Sequence, residues 1–123
     1  MRWLLLVMLW VTTASAHEMT PTYPKLSPSF MDGVEHTEVV LFNKREDVQY
    51  YEIGVFDKEW KPVPFVSAYK VVRVDYLAKL HIDVYIAKEN AKQALYLCSI
   101  SKLRGLPKKG TLVSSKICSK IVK

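Results

Sequence analysis

Two cysteines in 123 residues are too few for a disulfide-dense miniprotein or a four-cysteine zinc site. Phosphate-cradling glycine loops are missing too. Neither G-x-G-x-x-G nor G-x-x-x-x-G-K-[ST] occurs, and the length leaves no room for a dinucleotide-binding unit plus a substrate domain. Catalytic signatures are equally scarce, with no G-x-S-x-G, no H-E-x-x-H and three histidines in all, His17, His36 and His81. Asp57 and Glu59 stand two apart in a turn-like stretch, where a solvated role outweighs acid–base work. No segment sustains a 3.6-residue apolar period, no internal repeat or low-complexity tract occurs, and no acidic residue follows Glu89. These absences exclude most enzyme classes and point to a small non-enzymatic module that needs no cofactor.

What is present is a chain rich enough in apolar residues, half of its length, to build a packed core. Its first 16 residues have the order of an export signal. Arg2 gives a positive start, Trp3 to Val11 is an unbroken apolar run, and Ala14-Ser15-Ala16 offers small residues for cleavage. Nine apolar residues reach about 14 Å as a helix, roughly half a bilayer core, so a stable membrane anchor is not expected. The alternative is a buried N-terminal helix. Cleavage after Ala16 leaves one domain, residues 17–123, with a formal charge of +5, in the periplasm or outside the cell.

Strand patterns follow one another through that domain. After an extended start, Thr20 to Met31, the pair Asp32-Gly33 signals a turn. Glu35 to Asn43, Val48 to Asp57, Tyr69 to Asp75 and Leu80 to Ile86 read as strands, the last with strict alternation. Lys61 to Val66 carries Pro62 and Pro64, which suit an edge or a crossover. Glu89 to Lys92 is a connection. Ala94 to Ser101 and Thr111 to Lys123 close the chain as a hairpin around Gly105, Pro107 and Gly110. About seven strands at this spacing predict an all-β, immunoglobulin-like sandwich.

In an oxidising compartment Cys98 and Cys118 can pair. Pairing them centres the hairpin on Lys108, inside the expected loop, so the register is self-consistent. Two reduced, buried thiols are the alternative.

Charge divides the chain. Residues 17–89 hold nine basic and twelve acidic residues, a balance of −3, whereas residues 90–123 hold eight basic residues and no acidic one. Such a segment suits an anionic partner, or guards an exposed strand edge against aggregation. Nucleic acid is not expected as a partner, because export removes it and the basic hairpin lacks interleaved aromatics. On the last strand Val113, Ile117 and Ile121 share one face, while Lys116, Cys118 and Lys120 share the other. At a sheet edge the strand could template an incoming strand, with the apolar residues as partner contacts and the lysines holding an acidic end. Otherwise the apolar face is simply core.

Four segments in order resemble the N-terminal domain of the periplasmic pilus-assembly (PapD-like) chaperones. Glu38 to Val55 resembles the second and third strands, with Asn43 opening their loop. Trp60 to Phe65 resembles the polar turn and Pro-Phe segment, Val72-Arg73-Val74 with Leu80 to Ile86 resembles the Arg-Leu corner and the strand after it, and Ala94 to Ser101 resembles the F strand. The resemblance covers most of the mature chain, as one such domain where the family has two. It implies an immunoglobulin-like fold and a partner that is another exported chain, pilin-like or a structural subunit. It also implies a basic pair for the partner's C-terminal carboxylate. One position falls near Pro28, whose nearest base is Lys25, and the other near Cys118, flanked by Lys116 and Lys120.

A second class of function rests on the export signal. Cleavage would make His17 the N-terminal residue, and its amine and imidazole, with His36 or His81, could hold copper. The simpler reading is that His17 only follows the cleavage site.

Overall fold

A computed structural model describes residues 17–102 and 115–123. The expected signal segment, most of the last hairpin's loop and Val113 lie outside the described residues.

Alternation writes the two longest strands, β3 (Val34–Phe42) and β6 (Lys79–Ala87). Thr37, Val39 and Leu41 of β3 and Ile82, Val84 and Ile86 of β6 are buried, and the residues between them face outward. The two strands pair antiparallel over their whole length, Val34 opposite Ala87 and Phe42 opposite Lys79. The other side of β3 takes two short strands, β1 (Glu18–Thr20) and β2 (Ser27–Pro28). β2 turns into β3 at Asp32-Gly33, where Gly33 has φ +75°, a conformation that glycine adopts without steric cost.

The second sheet runs in the order β5 (Val71–Arg73), β4 (Tyr50–Phe56), β7 (Tyr96–Lys102), β8 (Lys116–Lys120). All its pairings are antiparallel. Tyr51, Ile53, Val55, Val72, Leu97 and Ile121 of this sheet and its flanks meet the inner face of the first sheet in one core. The architecture is an all-β sandwich of two four-stranded antiparallel sheets.

Among the described residues eight strands stand where about seven were expected, and the membership differs. The extended start supplies β2 and the last residue of β1, which begins two residues earlier, because these residues align with the side of β3 that β6 leaves open. Lys61 to Val66 is no strand. It touches the second sheet through Pro62 opposite Phe56 and the first through Val66 opposite Tyr85. It is the crossover its prolines suggested, since a residue without N–H cannot sustain a ladder. Glu89 to Lys92 forms most of one short helical turn, α1 (Lys88–Ala91).

Candidate functional site

β8 is the last strand of its sheet. Ser101 N–H donates to Ser115 O and Ile121 N–H donates to Leu95 O, so odd-numbered residues turn their backbone groups toward β7. Even-numbered residues therefore turn theirs to the outer edge. At Val122 that edge is occupied, because Val122 N–H donates to Pro24 O and Leu26 N–H donates to Val122 O. Lys116, Cys118 and Lys120 continue the same row, and no described strand pairs with them there. Lys25 lies directly opposite Val122, so the fold brings this base from the first segment to the end of the C-terminal strand.

The disulfide joins Cys98 to Cys118, which lie opposite each other with Cα atoms 4.1 Å apart. Cys98 has no exposed surface although its side chain points away from the core. Aromatic groups from three elements cover it. Gly54 lies directly opposite Cys98 and carries no side chain, so the Phe56 ring lies over its backbone, 2.8 Å from where a Cβ would stand. The turn after β4 lifts Trp60 over the same face. Asp57 Oδ1 accepts from the N–H groups of Glu59 and Lys61, and Trp60 takes the left-handed conformation, φ 63°. The Trp60 ring stacks on Tyr96 at 4.2 Å and 4°. Lys116 Nζ sits 4.7 Å from the Trp60 ring and 4.9 Å from that of Phe56. Lys116 is thus held over an aromatic floor, a contact worth about 0.5–1 kcal/mol when exposed. Sequence reading found the lysine and missed the aromatics, which lie about 60 residues away along the chain.

The apolar face of β8 corrects one expectation. Ile121 is buried in the core and Ile117 packs against it. Their side chains point between the sheets, because the pleat that turns the lysines outward turns them inward. They hold the strand in place and do not present themselves to a partner.

The three histidines are not brought together. His17 is buried between the sheets, beside Tyr51 at a ring separation of 4.5 Å. Its Nε2 is 3.2 Å from Ser99 O and 2.8 Å from Ser99 Oγ, and its Nδ1 is 3.0 Å from Ser115 Oγ. A carbonyl can only accept, so Nε2 carries the proton of the neutral ring and Nδ1 accepts from Ser115. Burial holds the His17 pKa below its ordinary value, against the Ser99 backbone bond and with the help of the Arg45 charge. His36 and His81 stand on the outer face of the first sheet, bonded to Asp83 at 2.8 Å and Glu38 at 2.6 Å. Among the described residues no cluster of three or more His, Cys, Asp or Glu side chains is placed to hold a metal.

Beside His17 lies a second buried polar group. Asn43 Nδ2 donates to Val48 O and Val74 O, and its Oδ1 accepts from Arg45 N–H and Tyr51 O–H. One fully buried side chain thereby ties the β3–β4 loop to the end of β5. Burial raises the Tyr51 pKa, so the phenol stays a donor. Arg45 and Asp47 close this end with a 2.6 Å ion pair, which holds the Asp47 carboxyl below its usual range. Every polar atom of the Asn43 side chain is engaged, so the group acts as a structural tie.

No family model and no curated protein matches this chain. Among the described residues no helix is long and apolar enough to cross a membrane.

Proposed function

We propose that this protein is an exported, non-enzymatic binding module whose C-terminal edge strand receives a strand of another exported chain, in the manner the PapD-like resemblance implies. The observation that carries this reading is the outer row of β8. Lys116, Cys118 and Lys120 point unshared backbone groups outward, and that row already accepts the chain's own Pro24–Leu26 segment at Val122. A strand docked there extends an existing ladder, with affinity from main-chain bonds.

Charge selects the occupant. A second copy pairing antiparallel about Cys118 would set Lys116 against Lys120 twice, and directly opposed like charges destabilise a sheet. An acidic strand, or a chain end with its carboxylate near Lys25, meets no such cost. The disulfide fits the oxidising compartment that export supplies.

The test is capture of co-exported proteins by the mature chain and by Lys116→Ser/Lys120→Ser. We expect the double variant to melt within a few degrees of the parent and to bind at least tenfold more weakly, about 1.4 kcal/mol. Added salt should weaken the parent's binding likewise, since exposed charges are screened over about 8 Å at physiological ionic strength. Equal capture by both forms overturns the reading.

A further inference from the structure

A different part of the molecule has two strand edges facing one another. β6 ends the first sheet and β5 ends the second. Tyr85 exchanges both backbone bonds with Val66, at 2.8 Å each, so residues of its parity on β6, His81 and Asp83 among them, direct their backbone groups away from β3. On β5, Lys70 O accepts from Ile53 N–H and Val74 N–H donates to Gln49 O, which turns Val71 and Arg73 outward. Among the described strands nothing pairs with either row.

Between these rows lies a cleft of about 500 Å³. Val72, Ile82 and Leu80 line it from inside, and Ala68 and Tyr69 border it. Tyr69 and Val71 are exposed, at 68% and 49%, which is unusual for large apolar side chains so close together. The chain itself opens this gap. After Val66 it leaves the β6 edge, and by Lys70 it is bonded into the second sheet.

We propose that this cleft is a second strand-acceptor site, separate from β8, taking an extended segment of another protein with apolar side chains at alternate positions. The Val66–Tyr85 bridge gives the occupant its chemistry. It shows the β6 edge accepting an antiparallel chain, and the next two residues of that row, Asp83 and His81, continue the ladder alongside the cleft. An extended segment paired with the β6 edge would lie about 4.8 Å from it, alongside the cleft. Its inward side chains would meet Leu80, Ile82 and Val72. Its backbone would serve His81 and Asp83, with Val71 and Arg73 bordering the cleft beyond it. The ends of the proposed strand need no fixed charge, because the charged side chains at the rim are already paired, Arg73 with Asp75, His81 with Glu38 and Asp83 with His36.

The probe is an eight-residue peptide alternating valine and serine, blocked at both ends, with a backbone N-methylated counterpart. Amide hydrogen exchange of the protein is followed residue by residue. We expect the peptide to slow exchange at His81 and Asp83 at least tenfold and to leave Lys116, Cys118 and Lys120 unchanged. The N-methylated peptide should not do so. Ala68→Trp, at an exposed position, should fill the cleft and weaken peptide binding at least tenfold with the fold intact. Four outcomes overturn the proposal: no protection at these amides, protection confined to β8, equal binding of the N-methylated peptide, or slowing that grows with protein concentration without peptide, which would make the occupant a second copy.

Discussion

The outer faces of the two sheets are held by different forces. On the first sheet, Glu38 and Asp83 stand directly opposite one another, and each is bonded to a histidine diagonally, Asp83 to His36 and Glu38 to His81. These are exposed pairs between long, solvated groups, whose worth is about 0–1 kcal/mol. On the second sheet, the equivalent face carries a covalent bridge under a roof of Phe56, Trp60 and Tyr96, with Lys116 laid across it. The comparison separates two ways of securing strands. The side-chain bonds on the first face stand in water and compete with it. The bridge and stacked rings on the second depend on redox state and area removed from water. The placement follows topology. β3 is the middle of its sheet, whereas β8 is a strand of five residues at an edge and has neighbours on one side only. A short terminal strand gains most from a covalent tie.

Breaking the second face should have the largest effect. The bridge spans a sequence separation of 20 residues, and the chain-entropy estimate for such a loop is about 3 kcal/mol. Cys98→Ala/Cys118→Ala should lower the unfolding free energy in urea by about that amount. Native-state exchange should show β8 loosening first, while β3 and β6 keep their protection. Uniform loosening of all strands would mean that the bridge serves the whole sandwich and not its edge.

The interior between the faces responds to acid through His17. Its folded pKa lies below the ordinary value of 6.5, because burial disfavours the charged ring. The unfolded chain then binds a proton more readily than the folded one. Stability is fully present above about 6.5 and falls as the pH drops from there through the folded pKa. Thermal melts between pH 7.5 and 5 should show this loss. His17→Gln keeps hydrogen-bonding capacity without titrating and should flatten the profile in that window, whatever it costs in absolute stability.

The first face should respond least. Asp83→Asn removes one charge-paired carboxylate and also relieves its opposition to Glu38, so the two changes oppose each other. The expected shift is within about 0.5 kcal/mol, small enough to vanish at high salt. A loss as large as that from the disulfide would show that the diagonal pairs act as a network and would erase the contrast between the faces.

Much of this was legible in the sequence for local reasons. Alternation in Leu80 to Ile86 placed a one-sided strand, Asp32-Gly33 placed a turn, and Pro62 and Pro64 marked an edge or a crossover. Cys98 and Cys118 are spaced symmetrically about their hairpin, so the arithmetic of antiparallel pairing joined them without knowledge of any other strand. β1 and β2 were not legible as strands. They are three and two residues long and exist because β3 offers them an unpaired side. The same limit applies to the Lys116 site. Its aromatic floor, Phe56 and Trp60, comes from β4 and the turn after it, elements that no spacing rule connects to residue 116.

By itself the sequence determined the β class, the register that sets Cys98 opposite Cys118 and the concentration of positive charge in the last third of the chain, since each depends on residue type and short-range periodicity. Only the tertiary structure decided which face of β8 is interior, sending Ile117 and Ile121 to the core and the lysines outward. It alone paired Lys25 with the end of that strand, buried His17 apart from His36 and His81, and left the edges of β5 and β6 facing across an apolar cleft. These outcomes depend on the order in which strands join a sheet. That order is fixed by the packing of distant apolar faces against one another.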